Sequence, residues 1–509
     1  MSDRPNVVLI MTDQQRADVS AREGFALDTT PFLDSLARQG VWFNRSYTAA
    51  PICAAARVSL HTGRYVSAHR CHSNWNEPQA IFTQDLFGVF RDHGYATALV
   101  GKNHSHLTPA SCDYWQGAGH YGIDEDNPSD EAKKFTEFIA GCNWLMAREP
   151  TPFPLQCQLP YRLVDYAQDW IRSVDDGSTG SPQRRPFLLW LSFPEPHNPY
   201  QVPEPYYSMF PPESLPPTVA DASALATKGY KYQYNRARLE EAYPPFAEII
   251  PRARANYFGM LRLIDDQVKR LVEFLEARHL RDNTIIIFMT DHGDFVGEYG
   301  LMKKGPELPE CLVRIPLQFT GPGIIARPEA HPAHVSVTDV MGTLCEAIGA
   351  DLPAGVQGRS LWPMLTGQDY PAEEFRSAYV EQGIGGLHVT ADDDYDPTQD
   401  GFTPARGDEW GTFDELNTVT QSGTMRMVRK GDWKLIVDMQ GAGQLYNLAD
   451  DPAELNNLFG RPETTAIQTE MLEELLAWII RTADPLPTPG PRYTPKTDKR
   501  NYYRPGRAE

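Results

Sequence analysis

Five short clusters in this 509-residue chain carry residue types that do chemistry. Asp13-Gln14 and Asp291-His292 each close an apolar run, NVVLIMT and TIIIFMT. Together they offer two hard carboxylate oxygens and an imidazole, a set that suits Ca²⁺, Mg²⁺ or Mn²⁺ better than zinc. Lys102-Asn103-His104 and His197-Asn198 follow the apolar runs ATALV and PFLLWLSF. They supply an ammonium for anionic oxygens and imidazoles for proton transfer. Cys53 stands four residues before Arg57 at an expected helix start, where free N–H groups favour an anion and lower a thiol pKa. Taken singly, an Asp in a loop, a GKxH or a lone cysteine is ordinary.

The elements around these clusters explain why they should meet. Residues 6–12, Ala96–Val100, Pro186–Phe193 and Thr284–Thr290 read as uniformly apolar strands, and Val41–Tyr47 as a further strand. Helices are expected over Pro31–Gln39, from Ala55 to Thr62, over Leu86–His93, Tyr161–Val174 and Arg254–Arg278; several stop at glycine. Strands apolar on both sides, alternating with helices, imply an α/β fold with a large, mostly parallel sheet sandwiched by helices. In such sheets ligands bind beyond the carboxyl ends of the strands, where four of the clusters lie. Residues 105–160 read as an insertion with long loops, and 203–250, rich in Pro and Tyr, match no period.

After about residue 370 the texture changes. The acidic, Gly- and Pro-rich stretch 383–412 precedes MRMVRKGDWKLIVDM. GQLYNLADDPAELNNL then reads as strand, turn and helix, and Thr465–Thr482 as a closing helix. The expected organisation is a catalytic α/β domain (1–370), a smaller C-terminal α+β subdomain (371–483) and a Pro-rich, locally basic tail (484–509). Tyr and Arg in the tail are types enriched at interfaces, so the tail is a candidate arm clasping a neighbouring subunit of a homo-oligomer.

Composition narrows the function classes. There are 47 Lys+Arg against 67 Asp+Glu, a net charge of −20. Such a field repels phosphate backbones and anionic lipid, so neither nucleic acid nor membrane is an expected partner, and an anionic substrate needs a locally cationic pocket. No run approaches the ~20 apolar residues of a membrane span. Seven scattered cysteines, with no C-x-x-C pair, form no disulfide framework and fit a reducing cytoplasm.

The segment PICAAAR followed by VSLHTGR resembles the sulfatase signature, C-x-P/A-x-R with a trailing Leu-x-Thr-Gly-Arg. Other blocks resemble that family in the same order: RPNVVLIMTDQQR, GYATALVGKNH, PFLLWLSFPEPHNPY, Asp265–Gly300 with its Asp-His-Gly, KGPELPECLVRIPL, and the C-terminal MVRKGDWKLI with QLYNLADDPAELNNL. The resemblance implies an alkaline-phosphatase-like fold and hydrolysis of a sulfate monoester, such as a sulfated carbohydrate or another small organic sulfate. It implies that a maturation enzyme converts Cys53 to formylglycine, whose hydrate attacks sulfur. It implies a metal held by Asp13, Gln14, Asp291, His292 and residue 53, with Ca²⁺ first and Mn²⁺ or Mg²⁺ as alternatives. Arg57 would steady the hydrate, Lys102 and Lys304 bind the sulfate oxygens, His197 or Lys304 protonate the leaving alcohol, and His104 act as base. KGP aligns through Lys304, with Lys303 as its alternate.

Two features depart from the commonest pattern: Ala55 replaces Pro in the signature, and Gln14 replaces a second Asp. Asp-Gln, Asp-His and Asn74, a further substrate-binding candidate, also resemble phosphonate monoester hydrolases. A phosphonate monoester hydrolase or phosphodiesterase is therefore the first alternative, against which Lys102 and His104 argue. A binding-only protein with unmodified Cys53 is the second.

Overall fold

The structure, a computed structural model, describes residues 4–176, 185–383, 390–392, 423–483 and 500–502. The strands are β1 (Asn6–Thr12), β2 (Val41–Phe43), β3 (Ser46–Tyr47), β4 (Ala96–Gly101), β5 (Tyr114–Gly117), β6 (Phe187–Ser192), β7 (Thr284–Thr290), β8 (Leu317–Thr320), β9 (Val335–Ser336), β10 (Ser377–Gln382), β11 (Met425–Lys430), β12 (Trp433–Asp438) and β13 (Gly443–Asn447). Seven form one sheet in the order β2-β8-β7-β1-β6-β4-β5, in which β8 runs antiparallel to both neighbours and the other pairs are parallel. Its central strands are buried along their whole length.

Because side chains alternate along a strand, β1 serves two cores. Val7, Leu9 and Met11 join Leu60, Tyr65, Trp190 and Met341 on one face. Val8 and Ile10 join Leu163, Ala167, Ile264, Val268 and Leu271 on the other. The helices on the second face are Leu159–Asp175 and Phe246–Ala277; on the first lie Cys53–Thr62 and Asp339–Ile348. This is the sandwiched α/β sheet expected from the apolar runs. The C-terminal strands form a separate antiparallel sheet, β10-β11-β12-β13, against which the helix Thr465–Thr482 packs.

Several boundaries differ from expectation. Val41–Tyr47 is two strands: β2 joins the large sheet and β3 leaves it to pair with β9. The helix expected from Ala55 begins at Cys53 itself, with Ile52 extended before it. Residues 105–160 are not only loops: β5 adds the edge strand beyond β4, and Asp130–Gly141 is a helix. Its short, partly buried YWQG sequence, aromatic then polar, hid β5 from an apolar-run reading. Within 203–250, Tyr230–Ala242 is helical, and the long helix starts at Phe246 despite Pro251. The helix expected after β13 does not form. The Asp451 carboxylate accepts the N–H groups of Leu455 and Asn456 at 3.1 and 2.8 Å, and Glu454 turns to φ +55° so that its carboxylate pairs with buried Lys434 at 2.7 Å.

Most of the stretch 383–412 and of the tail lies outside the described residues. Of the tail, Arg500, Asn501 and Tyr502 are described and bind this chain: Arg500 pairs with Glu346 at 3.1 Å, and Tyr502 donates to Ser360 O at 2.8 Å. No described helix is long and apolar enough to cross a membrane.

The junction of β4 with β6 fixes where Lys102 begins. Gly101 has φ +112°, and a Cβ there would lie 1.9 Å from Ser192 O, which accepts the Lys102 N–H at 2.8 Å. Gly101→Ala should therefore push the two strand ends apart and destabilise the protein by about 2–4 kcal/mol in urea denaturation. An unchanged midpoint would contradict this account of the junction.

Candidate active site

Four adjacent strands, β7, β1, β6 and β4, end beside one another, and the sequence continues from them into Asp291, Asp13, Glu195 and Lys102. The helix Cys53–Thr62 brings Cys53 and Arg57 to the same edge, one turn apart. Arg57 has 0% exposed surface. Its Nε donates to Asp291 Oδ2 at 2.9 Å and its guanidinium to Asp13 Oδ2 at 3.0 Å, Lys102 O at 2.9 Å and Ser192 Oγ at 2.8 Å. Arg57 thus ties together the ends of β1, β4, β6 and β7, rather than bonding Cys53.

Cys53 Sγ lies 3.0 Å from Lys304 Nζ, 3.2 Å from His292 Nε2 and 3.7 Å from Asp13 Oδ1. Burial pushes this thiol up and Asp13 adds to it, but Lys102, Lys304 and His292 hold it well below the ordinary thiol range. Ligand atoms of Asp13, Cys53, Asp291 and His292 all lie within 4.8 Å of one another. Burial and the charge of Asp13 push the Asp291 carboxyl up, whereas Lys102, His197 and Arg57 outweigh burial at Asp13 and hold it low.

The donor set fits a hard divalent cation. The Gln14 side-chain amide donates to Asp294, and its Oε1 is buried without a hydrogen-bond partner. His292 Nδ1 donates to Gly293 O at 2.9 Å, which fixes the ring orientation and turns Nε2 toward Cys53. Two carboxylates, an amide oxygen and one imidazole make an oxygen-rich site.

The remaining candidates surround this core. Lys102 Nζ donates to Asp13 and lies 3.0 Å from His120 Nε2. His197 Nδ1 donates to Asn198 O at 2.7 Å, and burial, reinforced by Lys304 and Lys102, brings it down to about 3, so the free site holds it neutral. His104 donates from Nε2 to Asn74 O at 3.1 Å, and its Nδ1 is buried without a hydrogen-bond partner. Asn74 Oδ1 accepts the Ala54 N–H at 3.1 Å, next to Cys53 on the helix. Lys303, the alternate to Lys304, points away: its Nζ donates to Tyr243 at 2.8 Å.

Three participants were not anticipated. His120 stacks on His197 at 3.9 Å and touches Lys102; the apolar-run reading left it in the insertion because β5, just before it, is too short and mixed to form an apolar run. Asp294 accepts from Gln14 and, at 2.6 Å, from Tyr200. Its place two residues after His292 was the available signal. Glu195 is buried, its backbone oxygen accepts the Asp13 N–H at 3.1 Å, and burial with the Asp13 charge raises its carboxyl to about 8.

Residues 5–350 match the family model described as Sulfatase. The arylsulfatase of Clostridium perfringens (strain 13 / Type A) is 27% identical over 90% of this chain and 91% of its own length. The choline-sulfatase of Rhizobium meliloti (strain 1021) is 26% identical over 90% and 83% respectively. Among solved structures, the phosphonate monoester hydrolase of Agrobacterium radiobacter has a TM-score of 0.71 at 22% identity, covering 94% of this chain and 96% of that one.

Two outcomes follow from the site. Asp291→Asn removes a charge from the cation site, so calorimetric titration with Ca²⁺ or Mn²⁺ should show affinity reduced by roughly tenfold to a hundredfold; wild-type affinity would rule the site out. Glu195 keeps its proton when folded up to about 8 but releases it in the ordinary carboxylate range when unfolded. Wild-type stability should therefore fall as pH rises through that window, by at most a few kcal/mol. Glu195→Gln lacks this slope, so its melting temperature should gain on wild type between pH 5 and pH 8, and a constant difference would contradict the buried, protonated carboxyl.

Proposed function

The chain belongs to the sulfatase family, and from that premise we propose that it hydrolyses the sulfate monoester of a small organic alcohol, with residue 53 as nucleophile after conversion from cysteine to formylglycine. The observation that carries this reading is the placement of Cys53 Sγ among Lys304, His292 and Asp13, on a buried helix N-terminus. The activities named for the two relatives, both sulfuric ester hydrolases, support it.

A divalent cation, with Ca²⁺ preferred and Mn²⁺ or Mg²⁺ as alternatives, would be held by Asp13, Gln14, Asp291, His292 and the oxygen at position 53. Bound there, it would lower the pKa of a ligating hydroxyl and offset negative charge on the sulfate. The hydrated aldehyde supplies two geminal hydroxyls, one to attack sulfur and one whose deprotonation expels sulfate. Arg57 acts by orienting Asp13 and Asp291. Lys102 and Lys304 form the local cationic pocket that an anionic ester needs on a chain of net charge −20. Lys304, beside residue 53, has a proton for the departing alcohol. Neutral His197 carries its ring hydrogen toward Asn198 O, so it first binds the ester and donates only once the bound anion raises its pKa. His104 Nδ1, buried without a hydrogen-bond partner, is the base. Asn74 holds the helix start and His104 in register.

Cys53 is 1% exposed, so a maturation enzyme can reach it only before this region folds. We further propose a cytoplasmic protein, because the seven scattered cysteines suit a reducing compartment, and one able to form a homo-oligomer. Gln14, His292 and Asn74 also suit a phosphonate monoester hydrolase, but Lys102 adds a cation matched to a terminal sulfate.

The test pairs mass spectrometry with turnover. In active protein the Cys53 peptide should carry an aldehyde in place of the thiol. Cys53→Ala should hydrolyse 4-nitrophenyl sulfate at least about a thousandfold more slowly, the scale seen when a nucleophile is removed. Full activity of that variant, activity with an intact thiol or without metal, or a preference for a phosphonate monoester over the sulfate would overturn the reading.

A further inference from the structure

Among the described residues two tryptophans are well exposed, Trp75 at 44% and Trp144 at 42%, and Trp144 touches the histidines of the site. Its ring meets His120 edge-on at 5.8 Å and His197 at 6.3 Å, and Tyr121 packs against it at 4.9 Å. Trp144 sits at φ +56°, after Asn143 at φ +49°, a conformation that bulky side chains rarely adopt. Such strain costs about 1–3 kcal/mol per residue and persists only where the surroundings enforce it. Here the enforcing contact is Asn198, next to His197, whose amide donates to Trp144 O at 2.6 Å. Burial does not explain the arrangement, because much of the ring stays open to solvent. The fold holds an indole in a strained loop beside His197 and beside His120, which meets Lys102, and leaves part of it exposed.

An uncovered indole face takes the C–H face of a sugar, an aryl ring or a cation. The neighbours choose among these. His120, against which the ring packs, lies 3.0 Å from Lys102 Nζ, and Lys102 and Lys304 act electrostatically on both histidines against the deeper Asp13 carboxylate, which Lys102 and Arg57 already pair. A quaternary ammonium on Trp144 would approach those ammonium groups, while His120, His197, Tyr121 and Asn198, which meet Trp144, carry no carboxylate. A neutral or anionic ring meets no such repulsion.

We propose that Trp144, backed by Tyr121, is the platform for the alcohol part of the ester, and that this alcohol is a ring, either a sugar or an aryl group, not an acyclic or cationic alcohol such as choline. The proposal rests on the sulfatase reading of the same site and narrows its substrate class.

The experiment is calorimetric titration of metal-loaded Cys53→Ala protein, which cannot turn ligand over. The probes are a pyranose 6-sulfate, 4-nitrophenyl sulfate, ethyl sulfate and choline sulfate, repeated with Trp144→Ala and Trp144→Phe added. Both or one of the ring esters should bind roughly tenfold tighter than ethyl and choline sulfate, the size of an aromatic stacking contribution. The two ring probes distinguish sugar from aryl. Trp144→Ala should erase that advantage and Trp144→Phe keep most of it. Equal affinity for ring and acyclic esters, tighter binding of choline sulfate, or a ring preference that survives Trp144→Ala would overturn the proposal. Phenyl and methyl phosphonate monoesters form a further arm: if they bind and no sulfate does, the sulfatase reading fails, while the Trp144 effect on phenyl against methyl still decides the ring platform.

Discussion

A single fully buried guanidinium holds this site together. Asp13 and Asp291 sit at the ends of the paired strands β1 and β7, where two carboxylates out of water repel each other and lose hydration. Arg57 bonds both and reaches the ends of β4 and β6 through Lys102 O and Ser192 Oγ. The helix must begin at Cys53 for this to work, because only then does its second turn deliver Arg57 to the four strand ends. Sheet order, helix start and the charge of the site are therefore one constraint. Removing either partner of such a buried pair costs about 3–5 kcal/mol, so the centre is also a structural keystone.

The same arrangement reverses the electrostatics locally. A chain with net charge −20 presents, at this edge, Arg57, Lys102 and Lys304 around two carboxylates. Burial keeps His197 and His120 neutral, so they add hydrogen-bonding groups without charge. A divalent cation on Asp13 and Asp291 would make this edge more positive still, as an anionic ester requires, and would offset the burial and the Asp13 repulsion that raise Asp291. Lys304 and His292 then stand directly against residue 53.

Much of this was legible from residues. The strands β1, β4, β6 and β7 are continuous apolar runs, and each polar cluster follows one directly or, for His197, after a short Pro-rich link, which points to the carboxyl edge. The link from Cys53 to Arg57 follows from helical spacing. What escaped has physical causes. β5 is short and mixed, aromatic then polar, so no apolar run marks it, and His120 beyond it went unseen. That Arg57 also binds Asp13, Asp291, Lys102 O and Ser192 Oγ is visible only in three dimensions. The turn after β13 reads as a helix until the Asp451 carboxylate takes the backbone N–H groups that a helix needs. Trp144 owes its place to Asn198, a contact across 54 residues that no local pattern encodes.

The central claim is that position 53 belongs to a metal centre with Asp13, Gln14, Asp291 and His292. The most direct measurement is an anomalous-scattering crystal structure of active, Mn²⁺- or Ca²⁺-loaded protein. The account predicts one metal peak with oxygen or nitrogen ligands from all four residues at about 2.0–2.6 Å, and an oxygen of residue 53 on the same ion in place of sulfur. An active crystal with no metal at this edge, or with an intact Cys53 thiol turned away from it, would contradict the account.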